Sequence, residues 1–163
     1  MSKIEQEVDP TSILSLYLSH DAAATYIDKN DKIKVLEYER FVKQRYGAFT
    51  HTMSNREGLG TTDDQRRDFL QYIKDNVKGD IKTILTNDTN LHDGPIIKEY
   101  FPNVKFKSVS HHDAHAASGV YTSGLEDATL LSFDGGGYDD DSNVCFTRTY
   151  LYRDNKIQRL NDY

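Results

Sequence analysis

The feature that most constrains this chain is a strand pattern that occurs twice. Near the start, residues 13–18 form an apolar run that Ser19-His20-Asp21 interrupts. Residues 22–27 resume an extended pattern, residues 28–31 make a turn, and residues 32–38 alternate polar with apolar side chains. Near the end, residues 128–133 form another strand-like run, residues 134–142 a Gly/Asp-rich loop, and residues 144–153 a second strand. The turn Asp154-Asn155-Lys156 then leads to a third strand over residues 157–160. The punctuation recurs: Asp28-Lys29-Asn30-Asp31-Lys32-Ile33 in one copy, Arg153-Asp154-Asn155-Lys156-Ile157 in the other. Asp and Asn favour such turns because their side chains bond the nearby backbone and tolerate left-handed geometry. Each copy is expected to be a three-stranded antiparallel meander.

Between the copies the pattern changes period. Thr62 has the character of a helix N-cap, with Asp63 and Asp64 suited to the positive end of the helix dipole. Phe69, Leu70, Ile73 and Val77 keep helical spacing, and Gly79 fits a stop. Residues 82–86 and 105–109 have strand character, and residues 95–101 form a short helix ending before Pro102. The fold class is therefore α/β: a ββ-meander followed by alternating helices and strands. Residues 1–11 are expected to be a flexible tail and residues 12–124 a first α/β half. Residues 125–163 would open a second half.

The sequence has 163 residues, enough for one ordinary domain with a core. A formal net charge of -6 argues against non-specific nucleic-acid binding, and no apolar run is long enough for a membrane helix. The acidic, polar first ten residues lack the character of a secretory signal, so a cytoplasmic setting is the default. The lone Cys145 sits in an alternating strand and is expected to pack as a small apolar residue.

The chemistry concentrates in two segments. In His111-His112-Asp113-Ala114-His115, Ser110 and Asp113 resemble a capping box, which would start a helix at Ser110. His111 and His115 would then share one face, one turn apart, as metal ligands do. The bland alternative is a solvated cap neighbour and a satisfied core histidine. Small residues from Ala114 to Gly119 would let that helix pack closely. In Asp134-Gly135-Gly136-Gly137, three glycines cost backbone entropy, which suits close approach of a phosphate as well as a simple turn. His112 falls on a different face and is expected to be structural. His20, Arg40, His51 and Arg56 are further polar candidates, whereas Asp139-Asp140-Asp141 suits a solvated loop tip.

Taken in order, Ser19-His20-Asp21-Ala22-Ala23, Glu39-Arg40-Phe41, the His111–Ser118 segment and Asp134-Gly135-Gly136-Gly137 resemble the O-carbamoyltransferases of the nodulation-factor and cephamycin/tobramycin-tailoring type. These enzymes share the actin/sugar-kinase/Hsp70 superfold, and the resemblance covers roughly residues 13 to 153. It implies carbamoyl transfer from carbamoyl phosphate, through a carbamoyl-adenylate made with ATP, to a substrate hydroxyl. By resemblance His111, His115 and Asp134 hold a divalent metal, iron or zinc, and Gly135, Gly136 and Gly137 approach the nucleotide phosphates. His20 and Arg40 match positions near the transfer site. Family members are several times longer and carry a YrdC-like carboxy-terminal domain, so the resemblance leaves three options: a fragment, a split-gene subunit with a separately encoded carboxy-terminal partner, or a reduced relative that lost catalysis. The alternative is a non-catalytic binding module or partner subunit that retains the fold. An open third strand near residues 157–160 would favour self-association.

Overall fold

A computed structural model describes residues 9–45, 47–50, 61–87, 92–138 and 144–162. The chain forms two compact units, Met1–Lys107 and Ser108–Tyr163. It is an α/β protein.

The first unit is built on a five-stranded mixed sheet in the order β3-β2-β1-β4-β5. Its strands are β1 (Ile13–Tyr17), β2 (Ala23–Ile27), β3 (Ile33–Glu37), β4 (Thr83–Thr86) and β5 (Lys105–Ser108). The first three pair antiparallel, which is the expected meander. The Asp28 carboxylate accepts the Asn30 and Lys32 amides, and Asp31 takes a left-handed φ of 58°. β1 also pairs parallel with β4, so the intervening chain must cross over, and it does so through a helix.

That helix is α2 (Asp63–Asn76), which follows the short α1 (Tyr38–Val42). Thr62 and Gln65 complete a reciprocal capping box at its start. Phe69, Leu70 and Ile73 are buried with Leu14, Leu16 and Ile84 from the sheet. Further on, α3 (Gly94–Tyr100) ends just before Phe101. Arg66 is also buried, held by Asp93 and Asp63 with its guanidinium 5.0 Å from the centre of the Phe49 ring. A buried cation is tolerated when carboxylates and an aromatic face replace its water.

Two expectations for this unit change. Tyr38 opens α1 instead of closing β3. Gly79 is not the helix stop: Val77 caps α2 in an extended conformation. A side chain at residue 79 would instead begin 2.6 Å from the Thr11 carbonyl oxygen, so glycine is required there by close backbone approach. Most of the long polar segment containing His51 and Arg56 lies outside the described residues.

The second unit contains α4 (His111–Ser123) and a separate three-stranded antiparallel sheet, β6-β7-β8. Its strands are β6 (Ala128–Tyr138), β7 (Val144–Arg153) and β8 (Lys156–Asp162). Asp154 and Asn155 both take positive φ, 52° and 57°, as a two-residue hairpin turn requires. The division between units falls at residue 107, whereas the sequence places it at residue 124. The reason is that α4 packs on the meander that follows it. Among the described residues no helix is long and apolar enough to cross a membrane.

The glycines also sit differently from expectation. Asp134 to Gly137 belongs to β6, which runs on to Tyr138, and is not a loop. The ladder shifts register between Phe133 and Gly137: Phe133 pairs with Thr147, and Gly137 with Cys145. Three β6 residues therefore oppose the single Phe146 on β7. Such a bulge redirects side chains that regular pleating would send to opposite faces. Asp139, Asp140 and Asp141 lie outside the described residues.

Candidate metal centre

Helical spacing brings His111 and His115 onto one side of α4, and the pleat of β6 aims Asp134 at them. The Asp134 Oδ2 atom lies 2.7 Å from His111 Nε2 and 3.1 Å from His115 Nε2. The two Nε2 atoms are 3.1 Å apart. One donor atom from each residue thus lies in a small triangle. His111 is 21% exposed, Asp134 40% and His115 53%, so the triangle opens to solvent on the His115 side.

The donor set fits a divalent ion. Ligands held about 2.0–2.2 Å from a tetrahedral zinc-like ion stand roughly 3.3–3.6 Å from one another. The separations here are shorter, as hydrogen bonds are, so an ion would move the three donors slightly apart. Two imidazoles and a carboxylate suit zinc or iron, and soft thiolate donors are absent from the cluster. Hydrogen bonding from His111 holds the Asp134 carboxyl down to about 2, with help from the Gly135 amide and His115. Asp134 is therefore an anion, the form that a metal needs.

The glycines serve this geometry from inside the protein. A side chain at residue 137 would overlap the His111 ring. Gly136 has a φ of 123°, and a side chain there would press on Val144 and Phe146 at 3.2 Å. Gly135 alone has open space, and its amide donates to Asp134 Oδ1 at 2.6 Å. The need for glycine at residues 136 and 137 thus arises from the bulge and from His111.

The start of α4 is fastened to all three strands. His112 is fully buried: its Nδ1 lies 2.7 Å from Ser132 Oγ and its Nε2 2.8 Å from the Cys145 carbonyl oxygen. Asp113 accepts from Tyr150 Oη at 2.9 Å and from Arg159 Nη2 at 2.8 Å. That overturns the expected capping box. Ser110 is the N-cap residue but makes no side-chain cap hydrogen bond, and the Asp113 side chain faces β7 and β8. Burial pushes the Tyr150 phenol up, and the Asp113 carboxylate beside it pushes the same way. Cys145 is a free, buried thiol whose Sγ lies 3.4 Å from the Thr147 carbonyl oxygen, consistent with a packing role. Gly119 does not mark a close contact, since nothing lies within 4 Å of where its side chain would start.

The other two site residues lie in the first unit. His20 Nδ1 is 2.9 Å from the neighbouring Asp21 carboxylate, and its Nε2 is 3.4 Å from Tyr17 Oη. Arg40 pairs with Glu37 one turn back and is 76% exposed. Sequence reasoning missed Ser132, Tyr150 and Arg159. Ser132 was accessible to it, because a residue two before Asp134 on a strand shares its face.

No family model matches the sequence. No curated protein matches it either. Solved structures with a similar fold include HypF from T. kodakarensis, at a TM-score of 0.62 and 18% identity, covering 93% of this chain and 18% of that one. Another is full-length HypF in its phosphate- and nucleotide-bound form, at a TM-score of 0.54 and 17% identity, covering 91% of this chain and 18% of that one. Identity at this level shows a shared fold. The chain spans less than a fifth of the length of either HypF structure.

Proposed function

We propose that this chain carries the metal-binding portion of a carbamoyltransferase. The single observation behind the reading is the triangle of His111, His115 and Asp134 donor atoms. The likeness to HypF, a carbamoyltransferase-family enzyme, supports the direction of the reading. His111 Nε2, His115 Nε2 and Asp134 Oδ2 would hold a divalent ion, which supplies Lewis-acid stabilisation of a carbonyl or phosphoryl oxygen when bound. The side of the triangle near His115 is open, which leaves room for a ligand outside the protein. Gly135 is the glycine with space for a nucleotide phosphate beside it. His20 and Arg40 retain local partners that leave both exposed, as groups meeting a carbamoyl donor would be.

The reaction is transfer of a carbamoyl group from carbamoyl phosphate, with ATP, to an acceptor hydroxyl. A second reading is a non-catalytic partner subunit that retains the fold. The two separate on one assay. The purified chain is mixed with carbamoyl phosphate, ATP and divalent metal, with and without a YrdC-like carboxy-terminal partner, and AMP and pyrophosphate are measured. Release of both products in either mixture supports the transferase. A folded, metal-loaded chain that yields neither in both mixtures supports the binding module.

A further inference from the structure

We infer that His112 is the positioning residue that sets the height of His111 and His115 against Asp134, an inference that rests on the triangle being a metal site. Three observations carry it. First, His112 is completely buried and both of its ring nitrogens have partners, on two different strands. The Cys145 carbonyl can only accept, so Nε2 carries the proton and Ser132 Oγ donates to Nδ1. That pairing fixes both the tautomer and the plane of the ring.

Second, the two anchors bracket Asp134. Ser132 lies two residues before it on the same face of β6. Cys145 is the register partner of Gly137, three residues after it. The ring of His112 therefore grips the sheet on both sides of the carboxylate, where the β6–β7 ladder changes register.

Third, His112 stands between the two ligands in the helix. The His111 and His112 ring centres are 5.4 Å apart at 86°, and those of His112 and His115 6.4 Å apart. A slide or rotation of α4 that moved either ligand would have to break a bond of His112. Three donor atoms within hydrogen-bond distance of one another leave little room for such a slide.

The test is cobalt(II) titration of the full chain, followed by its visible absorption, with folding checked by circular dichroism. His112→Phe fills a similar volume without either bond. It is expected to weaken cobalt binding about 10- to 100-fold, the usual range for residues supporting a ligand, and to shift the absorption bands. His112→Gln can present an amide N–H to the Cys145 carbonyl and should recover part of the affinity. Ser132→Ala keeps the ring and removes one anchor, so a smaller loss is expected. A folded His112→Phe chain with wild-type affinity and spectrum would overturn the inference, as would a loss of thermal stability alone.

A metal-independent arm keeps the two ideas apart. Imidazole ¹⁵N spectra of the metal-free chain should show protected Nε2–H signals for His111 that are lost in folded His112→Phe. Wild type that binds no cobalt removes the metal reading. In that case, retained His111 signals in His112→Phe would overturn the positioning role independently.

Discussion

The ring of His111 occupies the space in which a side chain at Gly137 would begin. Protein interiors are close-packed, so this contact ties the last of the three glycines to the first of the two ligand histidines. Gly137→Ala should push His111 away from Asp134 and cost about 1–3 kcal/mol, the range for overpacked sites. Urea denaturation gives the stability change. Loss of zinc affinity in the same variant gives the displacement.

Asp134 gives a pH signature. Its carboxyl is held down to about 2 by the hydrogen bond from His111, by the Gly135 amide and by His115. Because the folded value lies below the unfolded one, the stabilisation is present above about pH 4 and is lost as pH falls towards 2. Carboxyl NMR of the metal-free chain should find Asp134 titrating near 2, and His111→Ala should move it upward. A wild-type Asp134 that titrates like an ordinary aspartate would contradict the hydrogen-bonded arrangement.

Tyr150 gives the opposite sign at high pH. Burial and then the hydrogen bond to Asp113 raise its phenol above the ordinary tyrosine value. Its contribution is intact below about pH 10 and fades as pH rises towards the folded value. Ultraviolet titration should show one tyrosine ionising after the others, and that late step should vanish in Tyr150→Phe. The substitution should cost about 1 kcal/mol, since Asp113 keeps Arg159.

The face of the second sheet away from α4 predicts self-association. Leu131, Phe133, Val144, Phe146 and Leu160 are exposed there, from 43% to 80%. Together they present roughly 500 Å² of apolar surface, near the upper end for monomers. Two copies would bury about 1,000 Å² from these side chains alone, close to the lower bound of specific interfaces. Strand alternation puts Thr129, Thr147, Thr149 and Gln158 on the same face, with charge at its end, where Arg153 pairs with Asp127 and Lys156 lies opposite. Sedimentation velocity should show a concentration-dependent dimer that Phe133→Lys abolishes. A monomer at all concentrations would contradict this.

Both meanders were legible because period-two alternation and Asp/Asn turns are local signals. The same holds for α2, whose capping box and Phe69, Leu70 and Ile73 stripe depend on neighbours in sequence. The triangle was legible in part: four-residue spacing paired His111 with His115, and the resemblance added Asp134. What the sequence hid depends on pairing across strands. The glycines looked like a loop because a bulge has no local signature apart from the glycines themselves. Asp113 looked like a cap because its true partners, Tyr150 and Arg159, lie 37 and 46 residues away.

The most direct measurement of the central claim is metal content. Elemental analysis of the purified chain, after dialysis against a zinc- and iron-containing buffer, should find about one divalent ion per folded chain. His111→Ala, His115→Ala and Asp134→Ala should each lose it while circular dichroism stays that of a folded protein. Equal, near-zero metal in the wild type and His115→Ala would contradict the assignment of His111, His115 and Asp134 as ligands.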